Sequence, residues 1–135
     1  MIKKYFKKIL VQNPKDLQMI SALSADSTSK ISDIKYLPKN KVFLLSIDRK
    51  DKENNDDLIN SIIKFSFIDA CKSKNVDQKN PEKALKLITI DVFKKNHNYE
   101  IILLFSEILG AIAVNSYISL KSEVIDAELL DLGPK

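Results

Sequence analysis

The hydrophobic period of the chain changes early, and the change separates two kinds of element. Over residues 13–24 the apolar positions Leu17, Ile20 and Leu23 recur at helical spacing, which gathers them on one face of a helix. Three residues mark its start: Asn13 caps free N–H groups, Pro14 is preset for the first turn, and Asp16 meets the positive helix end. The period then falls to two. Residues 31–37 and 42–48, rich in β-branched and aromatic side chains, flank the polar turn Pro38, Lys39, Asn40, Lys41 and predict a hairpin. Runs at 62–69, 85–93, 99–105 and 111–120 predict further strands, with Ile63, Phe65 and Phe67 sharing a face in the first of them. Asn96, His97 and Asn98 form another hairpin turn, because asparagine tolerates the left-handed backbone that tight turns demand.

Two stretches fit more than one pattern. Residues 7–12 make a strand with Ile9 and Val11 inward; alternatively Ile2, Tyr5, Phe6, Ile9 and Leu10 form the apolar arc of a cationic amphipathic helix. The strand is preferred, entering the sheet directly before the Asn13 cap. Near the end of the chain, Glu123, Asp126, Glu128 and Asp131 are interspersed with Val124, Ile125, Leu129, Leu130 and Leu132, as in a half-buried edge segment or a short helix. No repeat is visible. The expected architecture is α+β: one domain over 1–135, an antiparallel meander sheet of six to seven strands packed against one N-terminal helix, with residues 1–6 a flexible basic extension.

Composition agrees with a single core, since 135 residues with 44% apolar and 30% charged side chains can bury enough surface to offset ordering entropy. The apolar run 101–105 is far short of the ~20 residues that cross a bilayer. The apolar stretch 9–11 is too short for a secretory signal, and the lone Cys71 makes no internal disulfide. A cytoplasmic protein is expected. The net charge of +4 lies at one end: with Lys3, Lys4, Lys7 and Lys8 set aside from the 22 basic residues, the rest balance the 18 acids. No nucleic-acid partner is therefore expected, since that would call for a basic face on the fold. Those four lysines could hold an anionic membrane only weakly, at about 1 kcal/mol each.

Candidate chemistry is sparse. Only Gly110 and Gly133 are available for phosphate-cradling loops, so no nucleotide motif is present and no cofactor is expected. His97 is the sole histidine and reads as a turn residue. Cys71, beside Lys72 and Lys74, reads as a small apolar side chain at a strand end. Asp51, Glu53, Asn55 and Asp57 alternate like calcium ligands, but the sixth position is not glycine and the twelfth is Ile62, so no metal site is expected and the stretch is a solvated loop.

Two functions fit. One is a non-enzymatic binding or assembly module that meets a protein partner, or a second copy of itself, through an exposed sheet edge or apolar face. The other is a small-ligand binder or enzyme with its site around the first hairpin at Tyr36, Arg49 and Asp51, near Asp33. Arg49 is the single arginine, the side chain best shaped for bidentate contact with a carboxylate or phosphate. Its plain alternative is a surface ion pair.

Several strings in order carry a resemblance. Lys8-Ile9-Leu10 leading to Asp16-Leu17, Ile20-Ser21-Ala22 and Asp26, Asp33-Ile34, Tyr36-Leu37-Pro38-Lys39, Ile125-Asp126-Ala127-Glu128-Leu129 and Asp131-Leu132-Gly133-Pro134 resemble an alphaproteobacterial family of proteins of unknown function, family 2948. Ala84-Leu85 to Ile90 is a weaker match. The resemblance implies small cytoplasmic proteins with no assigned activity, cofactor or catalytic residue, and an N-terminal segment that runs strand then helix. Lys50 and Lys52 stand where the family tends to have aromatics, and Leu23 where a histidine is usual. The stretch 107–121 is longer and poorer in glycine.

Overall fold

The computed structural model describes residues 7–53, 55–109 and 112–135, with backbone alone at 108, 109, 112 and 113. Asn13 does cap the helix: its Oδ1 accepts the Asp16 N–H at 2.9 Å while its Nδ2 donates to Asp16 Oδ2 at 2.8 Å. The helix α1 spans Pro14–Ser24 and buries Leu17, Ile20 and Ser24. It follows β1, Lys8–Val11, so the strand is the correct choice for that stretch.

Ten strands occur among the described residues, where six to seven were expected. The excess comes from a strand before the first hairpin, a run divided between two strands, and a strand at the end of the chain. β2, Thr28–Lys30, has no apolar side chain to announce it and is a strand only because neighbours on both sides supply hydrogen bonds. The first half of the expected hairpin is broken by a single 3₁₀ turn, Ile31–Asp33, leaving β3 as Ile34–Leu37 against β4, Val42–Asp51. The run 62–69 is shared between β5, Asp57–Phe65, and β6, Ile68–Lys74. Phe67 does not join Ile63 and Phe65 inside: it stands at the corner between these strands, exposed, with φ of 60°. The remaining strands are β7, Ala84–Lys95, β8, Asn98–Leu109, β9, Ile112–Ser122, and β10, Ala127–Pro134. The acidic closing stretch is thus a strand and not a helix. It is no edge either, because β10 lies between β1 and β5.

Strand order is β1, β10, β5, β4, β2, β7, β8, β9, β6, with β3 beside β4, and every pairing is antiparallel. The sheet folds back on itself at one corner. There β5 passes into β6 and β9 passes into β10, and the Ser66 N–H donates to the Asp126 carbonyl at 2.9 Å. Strands β5 and β10 pair on one side of this corner and β6 and β9 on the other. Inward positions from every long strand then meet in one core, including Phe43, Leu45, Ile47, Ile63, Phe65, Leu87, Leu103, Phe105, Ile118, Leu120 and Leu129.

Candidate functional site

The returning sheet leaves one seam. The outer edges of β3 and β6 have no strand partner among the described residues. They come together at one end, where the Ile68 N–H donates to the Lys41 carbonyl at 2.8 Å and the Tyr36 hydroxyl donates to the Ile68 carbonyl at 3.0 Å. At the other end the β6–β7 loop closes over the 3₁₀ turn: Ser32 N–H donates to the Pro81 carbonyl at 2.9 Å, and Ile31 N–H to that of Lys83 at 3.0 Å. Between the two closures the edges stay apart. The 3₁₀ turn takes the chain out of the extended form before β3, and the exposed Lys72 and Lys74 keep β6 from pairing further.

The gap opens into a cavity of 390 Å³, a volume within the range of small-molecule sites. Ile34 and Tyr36 line one wall, Cys71 and Ser73 the other, and Phe43 and Ile118 reach it from the core. No lining residue is charged. Burial pushes the Cys71 thiol above its ordinary value, so it stays protonated at neutral pH.

A second polar arrangement lies at the opposite end of β4. Alternation along the strand carries Phe43, Leu45, Ile47, Arg49 and Asp51 to the inner face, which puts the guanidinium inside. Arg49 Nε donates to Asp131 Oδ1 at 2.8 Å and Nη2 to Oδ2 at 2.6 Å, a buried bidentate pair. Ser61 Oγ donates to Oδ1 at 2.6 Å and the Lys7 backbone N–H to Oδ2 at 2.8 Å. Burial works to raise the Asp131 carboxyl, but the hydrogen bonds from Arg49, Ser61 and Lys7 outweigh it and hold the group below the ordinary carboxylate value. The same contact raises the Arg49 guanidinium.

Of the three residues proposed from sequence, Tyr36 therefore belongs to the seam, while Arg49 and Asp51 border only a 70 Å³ indentation at the far end of β4. Tyr36 pairs with Phe43, six residues from Arg49, a separation of roughly 20 Å along the strand. The Arg49 pair is buried, not a surface contact. Ser61 escaped the sequence reading and Asp131 was read only as one of the acids of the closing stretch, although each follows an inward apolar residue, Ile59 or Leu129, by two positions. His97 is exposed at the β7–β8 tip, apart from Cys71, and Asp33 is exposed in the 3₁₀ turn. In the loop once compared with a calcium site, Asp51 is buried and its Oδ1 accepts the Glu53 N–H at 3.1 Å. Lys3 and Lys4 lie outside the described residues. Lys7 is tied to Asp131 through its backbone, and Lys8 is exposed on β1. No helix among the described residues is long and apolar enough to cross a membrane.

No curated protein matches the sequence, and no solved structure matches the chain. The profile of one family does match, over residues 8–135, from β1 through β10 and so across both the seam and the buried ion pair. With nearly its whole length covered, the chain belongs to the family described as Protein of unknown function (DUF2948).

Proposed function

We propose that this chain is a cytoplasmic, non-enzymatic binding module that takes a small, uncharged, mostly apolar ligand in the seam between β3 and β6. The observation that carries the reading is the 390 Å³ cavity whose lining holds no charge, in a protein where 30% of residues are charged. A charged ligand would be desolvated there without a partner. An uncharged one is stabilised by contact with Ile34, Phe43 and Ile118, and the rim offers Ser32, Ser73 and Gln78 for one or two hydrogen bonds. Cys71 is the strongest nucleophile type in the lining, and neither its protonated thiol nor the hydroxyls of Ser32, Ser73 and Tyr36 has a histidine among the lining residues to act as a base.

A ligand that hides about 200 Å² of apolar surface gains roughly 5 kcal/mol from burial, and the cost of immobilising it reduces this to weak binding, with a Kd in the millimolar range. The uncharged dye N-phenyl-1-naphthylamine is a suitable probe. Its emission should rise on titration with the protein, it should slow alkylation of Cys71 by iodoacetamide, and Ser73→Trp, which fills the cavity, should abolish both effects. Dye binding that persists in a folded Ser73→Trp protein, or leaves Cys71 alkylation unchanged, would sink this reading.

A further inference from the structure

The outer surface of the same half of the sheet carries a second concavity, of 270 Å³, with a different chemistry. Lys72 on β6 lies opposite Ser119 on β9, Lys121 on β9 lies opposite Glu100 on β8, and Lys95 near the end of β7 lies opposite Asn98. Strand register thus brings three ammonium groups around one depression. Glu100 is its only acidic lining residue, and it is already engaged: Oε1 meets Lys95 Nζ at 2.9 Å, and Oε2 accepts from Ser119 Oγ at 2.7 Å. Lys72 and Lys121 have no carboxylate at ion-pair distance among the described residues. The depression therefore holds two uncompensated positive charges, and its concave wall concentrates their field.

We infer that this concavity binds the phosphate group of a phosphorylated small molecule, between Lys72 and Lys121 and in competition with Glu100. Two unpaired ammonium groups match a compact dianion. Lysine suits phosphate as a point charge, and the chain's single arginine, which would favour a planar carboxylate, is buried against Asp131 at the other end of β4. Ser119 and Asn98 supply neutral donors, and Ala70 gives the lining a small apolar spot for the organic part. The Lys95 and Ser119 hydrogen bonds, with the nearby Lys72 charge, hold the Glu100 carboxyl below its ordinary value, in agreement with a site that stabilises negative charge.

Competition gives the test two opposite signs. Phenyl phosphate titrated by calorimetry at low ionic strength should bind saturably at millimolar concentration or below. Removing both unpaired charges with Lys72→Gln and Lys121→Gln should weaken it about 10-fold. Glu100→Gln, which removes the competing charge but keeps an acceptor for Ser119, should tighten it about 3-fold. The substituted lysines are exposed, so an unchanged melting temperature certifies the variants. Independently of any variant, the backbone amide resonances of Ser119 and Lys121 should shift in the unmodified protein. Absence of saturable binding, weaker binding by Glu100→Gln, or indifference to the lysines would overturn the inference. So would tighter lysine-dependent binding, per phosphate, to phosphatidic acid vesicles or to a short single-stranded oligonucleotide.

Discussion

Arg49 occupies a place that strand alternation gives to an apolar side chain, two residues after Ile47 and surrounded by core. Such a position is tolerable only while the charge is fully met, because an isolated buried ion costs far more than a hydrogen bond returns. Asp131 on β10 meets it with both carboxylate oxygens, and Ser61 on β5 donates in turn to Asp131. Arg49→Met alone leaves the Asp131 carboxylate stranded and should cost about 3–5 kcal/mol, whereas Arg49→Met with Asp131→Leu should recover most of that loss. Denaturant midpoints of the two singles and the double variant provide the check. A double variant as unstable as the sum of the singles would show that the pair is not a unit.

Among the elements, α1 does more than cover the core. β2 pairs with β7 only at Lys86, Leu85 and Ala84, so the rest of that β7 edge needs another cover. The chain between α1 and β2 supplies the first part, with Asp26 N–H donating to the Leu87 carbonyl and Leu87 N–H to that of Ser27, each at 2.8 Å. The helix supplies the next: the Ile90 N–H donates to Ser21 Oγ at 3.0 Å. Ser21→Ala leaves that edge N–H without its acceptor and should cost about 1–2 kcal/mol, with amide exchange at Ile90 accelerated selectively; equal acceleration throughout β7 would indicate general loosening instead. The helix itself was legible because Asn13, Pro14 and Asp16 act within one turn. The long strands were legible from alternation, and the β3–β4 and β7–β8 turns from Pro38 and Asn96. What could not be read were features made by partners distant in the chain. β2 has no pattern of its own, and the corner falls at Phe67, a residue that composition places inside. The seam's walls come from β3 and β6, so Tyr36 and Cys71 could each be noticed but not that they face one cavity, 35 positions apart. Arg49 was noticed as a lone arginine, yet its burial depends on Asp131, 82 positions away.

At the scale of the whole molecule, Asp131 is where β1, β4, β5 and β10 are pinned together, through Lys7, Arg49, Ser61 and its own strand. Its folded carboxyl lies below the ordinary value of 3.8, so the ionised form favours folding. That contribution is complete above the unfolded-state value and is lost as pH falls through the folded one. Asp131→Asn should therefore be clearly less stable than the parent in urea at about pH 6, and the difference should shrink by about pH 3, once the parent's carboxylate begins to take up protons. A gap that stays constant across this range would mean that Asp131 contributes by packing alone.

The pairing of β1 with β10 has a mechanical consequence. Lys8 lies opposite Leu130, and the Asp131 N–H reaches the Lys7 carbonyl at 2.9 Å, so the start of β1 and the far half of β10 emerge at the same end of their shared ladder. A load drawn between the two chain ends would peel these strands apart rung by rung rather than shear them all together. The first rungs to take it are the two between Lys7 and Asp131, and the ion pair of Asp131 with Arg49, which ties β10 to β4, holds the strand from which β1 is peeled.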